Sequence, residues 1–236
     1  DLVAEAAEGW LDAAARRRIE ERRGRLAAEH ARRRATWDAE ALASRDARPI
    51  ALAWLGRCLG ELAREAPECL FVDEMVTSNV VTWRYVGARE PGSWFGSGGS
   101  ALGWGLGAAL GVKLARPERP VVALVGDGCF LFGAPVAALW AAQAQAAPIL
   151  VVIFDNARYQ ATKRPLVGAY PDGTSVRTGR FVGIDLVPTP RYDLIARSVG
   201  AEGERVEDPA ELMAALRRGL ARVRGGQTAV VDVALE

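Results

Sequence analysis

The chain has 236 residues, half of them hydrophobic, so it is long enough to bury a substantial core. Its 30 Lys and Arg residues nearly balance its 29 Asp and Glu residues, which argues against a nucleic-acid partner. No apolar run reaches the length of a membrane span and no signal peptide is visible, so no membrane association is expected. Three cysteines without metal-ligand spacing and a single histidine argue against a zinc site or a Ser-His-Asp triad, and they favour a cytoplasmic location.

Residues 1–48 are rich in Ala, Arg and Glu and predict a charged, solvent-facing helix, a connector from a preceding domain of a longer polypeptide. From residue 49 onward, predicted helices alternate with predicted strands. The helices cover 50–65, 102–115, 133–146, 191–199 and 209–224, and the strands cover 70–72, 121–125, 149–154 and 228–235. Residues 92–99 form a loop, residues 157–190 form a long polar connection, and a short apolar turn follows residue 199. The alternation predicts an α/β fold over residues 49–236, a doubly wound and mainly parallel sheet with helices on both faces.

Two apolar runs of buried-strand length end in small or oxygen-bearing residues. One is followed by Gly126-Asp127-Gly128 and the other by Asp155-Asn156. Ligands of open α/β sheets bind past the carboxyl ends of the strands, so Asp127 and Asn156 are placed where a hard cation such as Mg²⁺ could bind. The two glycines allow a ligand to approach the main chain, and the N-terminus of the helix expected after them, residues 130–146, is suited to an anion. The pattern therefore predicts Mg²⁺ bound together with a diphosphate.

The glycine-rich segment 96–111 could instead indicate a dinucleotide-binding loop. That fingerprint requires a strand directly before its first glycine and an acidic residue about 20 residues further on. Only Pro91-Gly92-Ser93-Trp94-Phe95 precedes Gly96, so a nucleotide-binding module is the weaker alternative.

The pair of motifs resembles the GDG…NN motif of thiamine diphosphate (ThDP) enzymes, with one departure, since Asp155 stands at the first Asn. The resemblance covers nearly all of residues 50–236 and points to the diphosphate-binding domain, which has the ThDP-binding fold. Within the family, the chain is most similar to the branch of benzoylformate decarboxylase and acetolactate synthase. The segments that carry this similarity are 91–95, 102–111, 138–143 and 183–186.

The resemblance implies a set of site residues. The metal ligands would be Asp127, Asn156 and the backbone carbonyl of Arg158. Leu102 matches the bulky residue that supports the bent cofactor, and the carbonyl of Ser100 would face its aminopyrimidine ring. The other expected cofactor contacts are Thr77, Ser78, Gly126, Gly128 and Cys129, and the positions near the substrate are Ala161 and Thr162.

The activity implied by the resemblance is that of a ThDP- and Mg²⁺-dependent lyase or carboligase acting on a 2-oxo acid. This chain would supply the diphosphate half of the active site and no catalytic residue. The activating glutamate would come from a pyrimidine-binding domain of the same protein or of a partner subunit, in a homodimer or homotetramer. A non-catalytic ThDP-binding domain is the alternative from a different functional class.

Overall fold

The computed structural model describes residues 10–87, 90–99 and 101–236. The chain divides into two units, Asp1–Glu40 and Ala41–Glu236. Helix α1, Ala13–Ala43, begins after Asp12, whose carboxylate accepts a hydrogen bond from the Ala15 N–H at 2.6 Å. Most of its side chains are exposed, in keeping with the charged helix predicted there, and the connector role of residues 1–48 stays a prediction. Within the described ranges, no helix has the length and apolar character of a membrane span.

In the second unit, the described residues form one sheet of six parallel strands. In chain order these are β1 Leu70–Glu74, β2 Trp94–Gly96, β3 Val121–Gly126, β4 Leu150–Asp155, β5 Glu202–Val206 and β6 Ala229–Ala234. Their order across the sheet is β2-β1-β3-β4-β6-β5. Gly126 of β3 lies beside Phe154 of β4, so the residues that follow these two strands emerge at the same edge of the sheet.

Helices cover both faces of this sheet. The helices of the second unit are α2 Leu52–Glu65, α3 Asn79–Tyr85, α4 Trp104–Ala115, α5 Asp127–Phe132, α6 Pro135–Ala144, α7 Gln160–Ala169, α8 Thr174–Thr178, α9 Tyr192–Ser198 and α10 Leu212–Arg224. Alternate residues of β3 belong to two separate cores: Val122 and Leu124 pack with α2 and α10, whereas Val121 and Val125 pack with α4, α6 and α9. The doubly wound parallel sheet predicted from the alternation is thus confirmed.

The helix predicted over 133–146 corresponds to α6, but the apolar stretch 130–146 is not one continuous helix, since α5 and α6 are separate. The Gly133 N–H ends α5 by donating to the Cys129 carbonyl at 2.9 Å, and Ala134 adopts a left-handed φ of 47°. Pro135 then begins α6, a position where its missing N–H costs no helical hydrogen bond. The helix that starts at Asp127 therefore has only 6 residues.

The short turn predicted after residue 199 is also wrong, because Glu202–Val206 forms strand β5. This strand is at the edge of the sheet and pairs with β6 alone. An edge strand tolerates charged side chains because one of its sides faces solvent, and Glu204 pairs there with Arg218 at 2.5 Å.

Four further elements lie where the sequence predicted loops or no regular structure. The glycine-rich loop 92–99 contains the short strand β2, and helix α3 follows β1. The polar connection 157–190 contains α7 and α8, and neither helix has a buried residue. Their lack of a buried face explains why the segment shows no clear apolar periodicity.

Candidate functional site

Asp127 and Asn156 meet at a single backbone N–H group. The Arg158 N–H lies 3.1 Å from Oδ2 of Asp127 and 3.2 Å from Oδ1 of Asn156. The second carboxylate oxygen of Asp127 accepts a hydrogen bond from the Gly128 N–H at 2.8 Å. The parallel register of β3 and β4 therefore brings together the two side chains that the sequence assigned to a metal, and the backbone of the third assigned residue, Arg158, lies against them.

Asp127 differs from its neighbour Asp155 in its charged partners. The Asp127 side chain is buried, and in the described part of the chain it forms no salt bridge. Burial raises the pKa of Asp127 above its ordinary value, and the nearby carboxylate of Asp155 raises it further. The site thus contains a buried carboxylate whose ionised form a bound cation would stabilise.

Asp155, the departure from the family motif, has a counterion. One of its oxygens accepts a hydrogen bond from the Ala157 N–H at 3.0 Å, and the other lies 2.9 Å from Nη1 of Arg205. The same guanidinium nitrogen lies 2.6 Å from the buried Asp232. Arg205 comes from the edge strand β5, which the sequence did not reveal, so its pairing with Asp155 was not predicted.

Tyr159 explains why Gly128 must be a glycine. A Cβ atom at Gly128 would lie 2.4 Å from a carbon of the Tyr159 ring, far inside van der Waals contact. The Tyr159 N–H bonds to the carbonyl of Ile184 at 2.8 Å, which fixes the start of α7 over the ends of β3 and β4. Sequence reasoning missed Tyr159 because nothing in its local pattern marks the contact.

A cleft of about 540 Å³ opens at this edge of the sheet. Its walls include every described residue that the sequence assigned to the cofactor, the metal or the substrate. These are Thr77, Ser78, Leu102, Gly126, Asp127, Gly128, Cys129, Asn156, Arg158, Ala161 and Thr162. Ser100, the remaining assignment, lies outside the described residues. The roles of all twelve residues stay predictions.

Two features of the cleft were not expected. The buried Oε1 of Gln160, in the wall of the cleft, has no hydrogen-bond partner among the described residues. The carboxylate of Glu74 lies beneath the turn that carries Leu102 and accepts hydrogen bonds from the Gly103 and Gly105 N–H groups. Burial raises the pKa of the Cys129 thiol to about 12, and Glu74 adds to this shift, which disfavours a reactive thiolate at this position.

Comparison with protein families identifies the family to which this chain belongs. Residues 74–233 match the family described as thiamine pyrophosphate enzyme, C-terminal TPP binding domain, thiamine pyrophosphate being another name for ThDP. The chain belongs to this family. The matched range begins with Glu74 at the end of β1 and includes the whole cleft edge formed by β3 and β4. The resemblance proposed from the Gly-Asp-Gly and Asp-Asn motifs is confirmed.

Curated relatives of this ThDP-binding domain include enzymes of both kinds expected from the resemblance. It is 35% identical to benzoylformate decarboxylase of Pseudomonas aeruginosa over 159 residues, which cover 66% of this chain and 28% of the relative. It is 38% identical to the acetolactate synthase large subunit IlvG of Mycobacterium tuberculosis over 152 residues, which cover 64% of this chain and 25% of the relative. The matched part of the chain thus spans about a quarter of the length of these relatives.

A solved structure supports the fold assignment. The thiamine diphosphate-dependent 4-hydroxybenzoylformate decarboxylase of Rhodococcus jostii RHA1 superposes with a TM-score of 0.66 at 26% identity. The superposition covers 79% of this chain and 33% of the decarboxylase chain. The ThDP-binding fold predicted from the sequence is therefore confirmed.

Proposed function

We propose that this domain binds ThDP through Mg²⁺ and supplies the diphosphate half of an active site that decarboxylates or ligates a 2-oxo acid. The observation that carries the proposal is the meeting of Asp127 and Asn156 at the Arg158 backbone. The relatives are named decarboxylases and acetolactate synthases, which supports the reaction class. Because the chain spans only part of those proteins, the activity belongs to the complete protein.

The donor atoms fit a divalent cation that prefers oxygen. Asp127 offers a carboxylate, Asn156 an amide oxygen and Arg158 a backbone carbonyl, which are the ligand types that Mg²⁺ takes. Mg²⁺ usually completes its coordination with phosphate oxygens and water, so three protein ligands are a suitable number beside a diphosphate. Thr77 and Ser78 line the same cleft and place hydroxyl groups where they could contact that diphosphate.

The rest of the chain would orient the cofactor. Leu102, 40% exposed, faces the cleft from the turn before α4, where a bulky side chain can support the bent shape of the cofactor. Once bound, ThDP would supply the nucleophile and the electron sink that decarboxylation of a 2-oxo acid requires. Ala161 and Thr162, at the start of α7, are the positions of this chain that would face the substrate.

The activating carboxylate is expected from a separate pyrimidine-binding domain, in the same protein or in a partner subunit. Asp127 is assigned to the metal, and both oxygens of Glu74 are bonded to backbone N–H groups. The competent unit would then be at least a dimer of complete chains, as a homodimer or homotetramer.

The test is calorimetric titration of the complete protein with ThDP, first with Mg²⁺ and then with excess EDTA. We expect saturable binding with Mg²⁺ and at least a tenfold loss with EDTA, because the diphosphate would then face Asp127 without a cation. Equal affinity in both buffers would contradict the metal assignment. A 2-oxo acid decarboxylation assay on the same preparation separates an enzyme from a non-catalytic ThDP-binding protein.

The structure disfavours the nucleotide-binding alternative. A dinucleotide phosphate at the glycine-rich segment would need the backbone N–H groups at the start of α4. The N–H groups of Gly103 and Gly105 are already bonded to Glu74. NAD added in place of ThDP in the same titration should therefore give no heat of binding.

A further inference from the structure

Glu74 is a buried carboxylate whose two oxygens both accept hydrogen bonds from the backbone that leads into α4. It is the last residue of β1 and is only 6% exposed. One of its oxygens accepts the Gly103 N–H and the other accepts the Gly105 N–H. These are N–H groups at the start of α4, which no side chain of its own first turn caps. A carboxylate at this end of a helix also interacts favourably with the helix dipole.

Two positions in the turn before and at the start of α4, Gly103 and Gly105, have no room for a side chain. A Cβ atom at Gly105 would lie 2.8 Å from Oε2 of Glu74, so a larger residue there would displace the carboxylate. Gly103 has a φ of +89°, and a Cβ atom there would lie 2.7 Å from the Phe132 carbonyl. The backbone on the C-terminal side of Leu102 is therefore held between Glu74 and the end of α5.

Leu102 depends on this support because its own side chain has few neighbours. It is 40% exposed and faces both the cleft at Asp127 and an adjoining cleft of about 760 Å³ that Glu74 also lines. Packing alone cannot fix a side chain that is so open. Its position follows from the backbone of the turn, and the two hydrogen bonds to Glu74 fix that backbone.

We propose that Glu74 is a positioning residue for ThDP: it holds the Leu102 turn in the conformation that supports the bent cofactor. This inference rests on the proposed function and adds a residue to which neither the sequence nor the family motif assigned a role. Glu74 acts through Leu102 and not through the metal, because its carboxylate bonds to α4 whereas the metal ligands lie on the β3 and β4 loops.

The test separates the diphosphate end of the cofactor, which the metal ligands would hold, from the remainder, which Leu102 would support. Calorimetry on the complete protein with Mg²⁺ would compare two ligands, ThDP and inorganic pyrophosphate, in wild type and in Glu74→Gln. The amide keeps the shape of the side chain but turns an NH₂ group towards one of the two N–H donors. We expect about tenfold weaker ThDP binding and pyrophosphate affinity within twofold of wild type. Glu118→Gln makes the same chemical change at an exposed position and should alter neither affinity.

A double-mutant cycle with Leu102→Ala tests the route of the effect. If Glu74 acts through Leu102, Glu74→Gln should weaken ThDP binding by less than twofold when it is introduced into the Leu102→Ala variant. Additive losses, or a parallel loss of pyrophosphate affinity, would overturn the proposal.

Thermal unfolding of each variant serves as a separate control that the variant is folded. Glu74→Asp keeps the charge but cannot reach both donors, so it should reproduce the selective loss of ThDP affinity if Glu74→Gln unfolds. An unchanged ratio of ThDP to pyrophosphate affinity in Glu74→Asp would likewise overturn the inference. Wild type that binds pyrophosphate but not ThDP would instead refute the proposed function.

Discussion

The ends of β3 and β4 carry two buried carboxylates that are neutralised in different ways. Asp155, after β4, lies 2.9 Å from Arg205, which also binds Asp232. Asp127, after β3, has backbone N–H partners, and no cation pairs with it among the described residues. A buried charge without a counterion is costly unless a ligand supplies one. The contrast indicates which carboxylate is reserved for an external cation and which is part of the permanent structure.

Glu74 at the end of β1 is a third case, since its charge is stabilised by the N–H groups of α4 and needs no cation. Three neighbouring buried carboxylates therefore differ in their partners: a guanidinium group, helix N–H groups, or an incoming metal ion. Residue type alone does not distinguish them. Each of the following variants removes one kind of partner or one carboxylate.

The largest expected effect is that of Asp127→Asn, which removes the charge of the proposed metal ligand and keeps its shape. We expect ThDP affinity with Mg²⁺ to fall more than about 100-fold, because changes in residues that only support a metal ligand already cost roughly 10–100-fold. The metal-free protein should become more stable at the same time, because the repulsion between Asp127 and Asp155 is lost. Calorimetry and thermal unfolding would measure the two effects, with the exposed Asp46→Asn as control. A lower melting temperature without metal would show that Asp127 is a structural carboxylate like Asp155.

Arg205→Met should have the opposite effect on stability. It leaves Asp155 and Asp232 buried without a counterion, and we expect a loss of about 2–3 kcal/mol, since the Arg205 side chain retains some exposure. The melting temperature should fall by roughly 5–10 °C. Replacing Asp155 by Asn in the same protein should recover about half of this loss.

The control for this variant is Arg218→Met, which breaks the exposed pair with Glu204 and should cost less than about 1 kcal/mol. Equal destabilisation by the two Arg variants would mean that the Asp155 network is no stronger than a surface pair.

Asp73 extends the comparison to a buried carboxylate outside the proposed metal site. Its Oδ1 accepts the Met75 N–H at 3.0 Å, and burial raises its pKa from 3.8 to about 6. The folded state therefore holds the proton up to about pH 6, whereas the unfolded chain releases it near pH 4. The free energy of unfolding therefore includes a favourable contribution from Asp73 below about pH 4. This contribution, roughly 1–3 kcal/mol, is lost as the pH rises from about 4 to about 6.

Asp73→Asn removes the titration and should flatten the dependence of melting temperature on pH between about 4 and 6. Thermal unfolding across that window measures the change, with Asp46→Asn again as the control. A wild-type curve that rises with pH more steeply than the variant curve would show that Asp73 is stabilised in its ionised form.

The sequence predicted the features that depend on local residue patterns and missed those that depend on contacts between distant segments. The runs 121–125 and 149–154 are apolar enough to mark buried strands, and the oxygen-bearing residues after them must meet because parallel neighbours end at one edge. Strand β5 escaped prediction because an edge strand can carry Glu-Gly-Glu-Arg-Val without an apolar pattern. The break between α5 and α6 depends on the left-handed Ala134, which no local preference signals. The contact of Glu74 with the Leu102 turn joins segments that are far apart in the sequence and becomes visible only in the folded chain.

The smallest expected effect concerns residues 157–190, the long polar connection after Asn156, which we expect to become ordered over the diphosphate when cofactor and metal bind. Helices α7 and α8 are already formed there but have no buried residues, so ordering would mean docking of helices and not folding of a loop. The Arg158 N–H bonds to oxygens of Asp127 and Asn156. A bound metal would bind the same two side chains, so cofactor binding should change the hydrogen bonding of the backbone at the start of α7. We expect amide hydrogen exchange in residues 160–178 to slow severalfold when ThDP and Mg²⁺ are added, while exchange in α10, which packs on a face of the sheet, stays unchanged. Equal exchange in 160–178 with and without cofactor would show that this segment does not respond to cofactor binding, and the contrast between Asp127 and Asp155 would then be confined to the strand ends themselves.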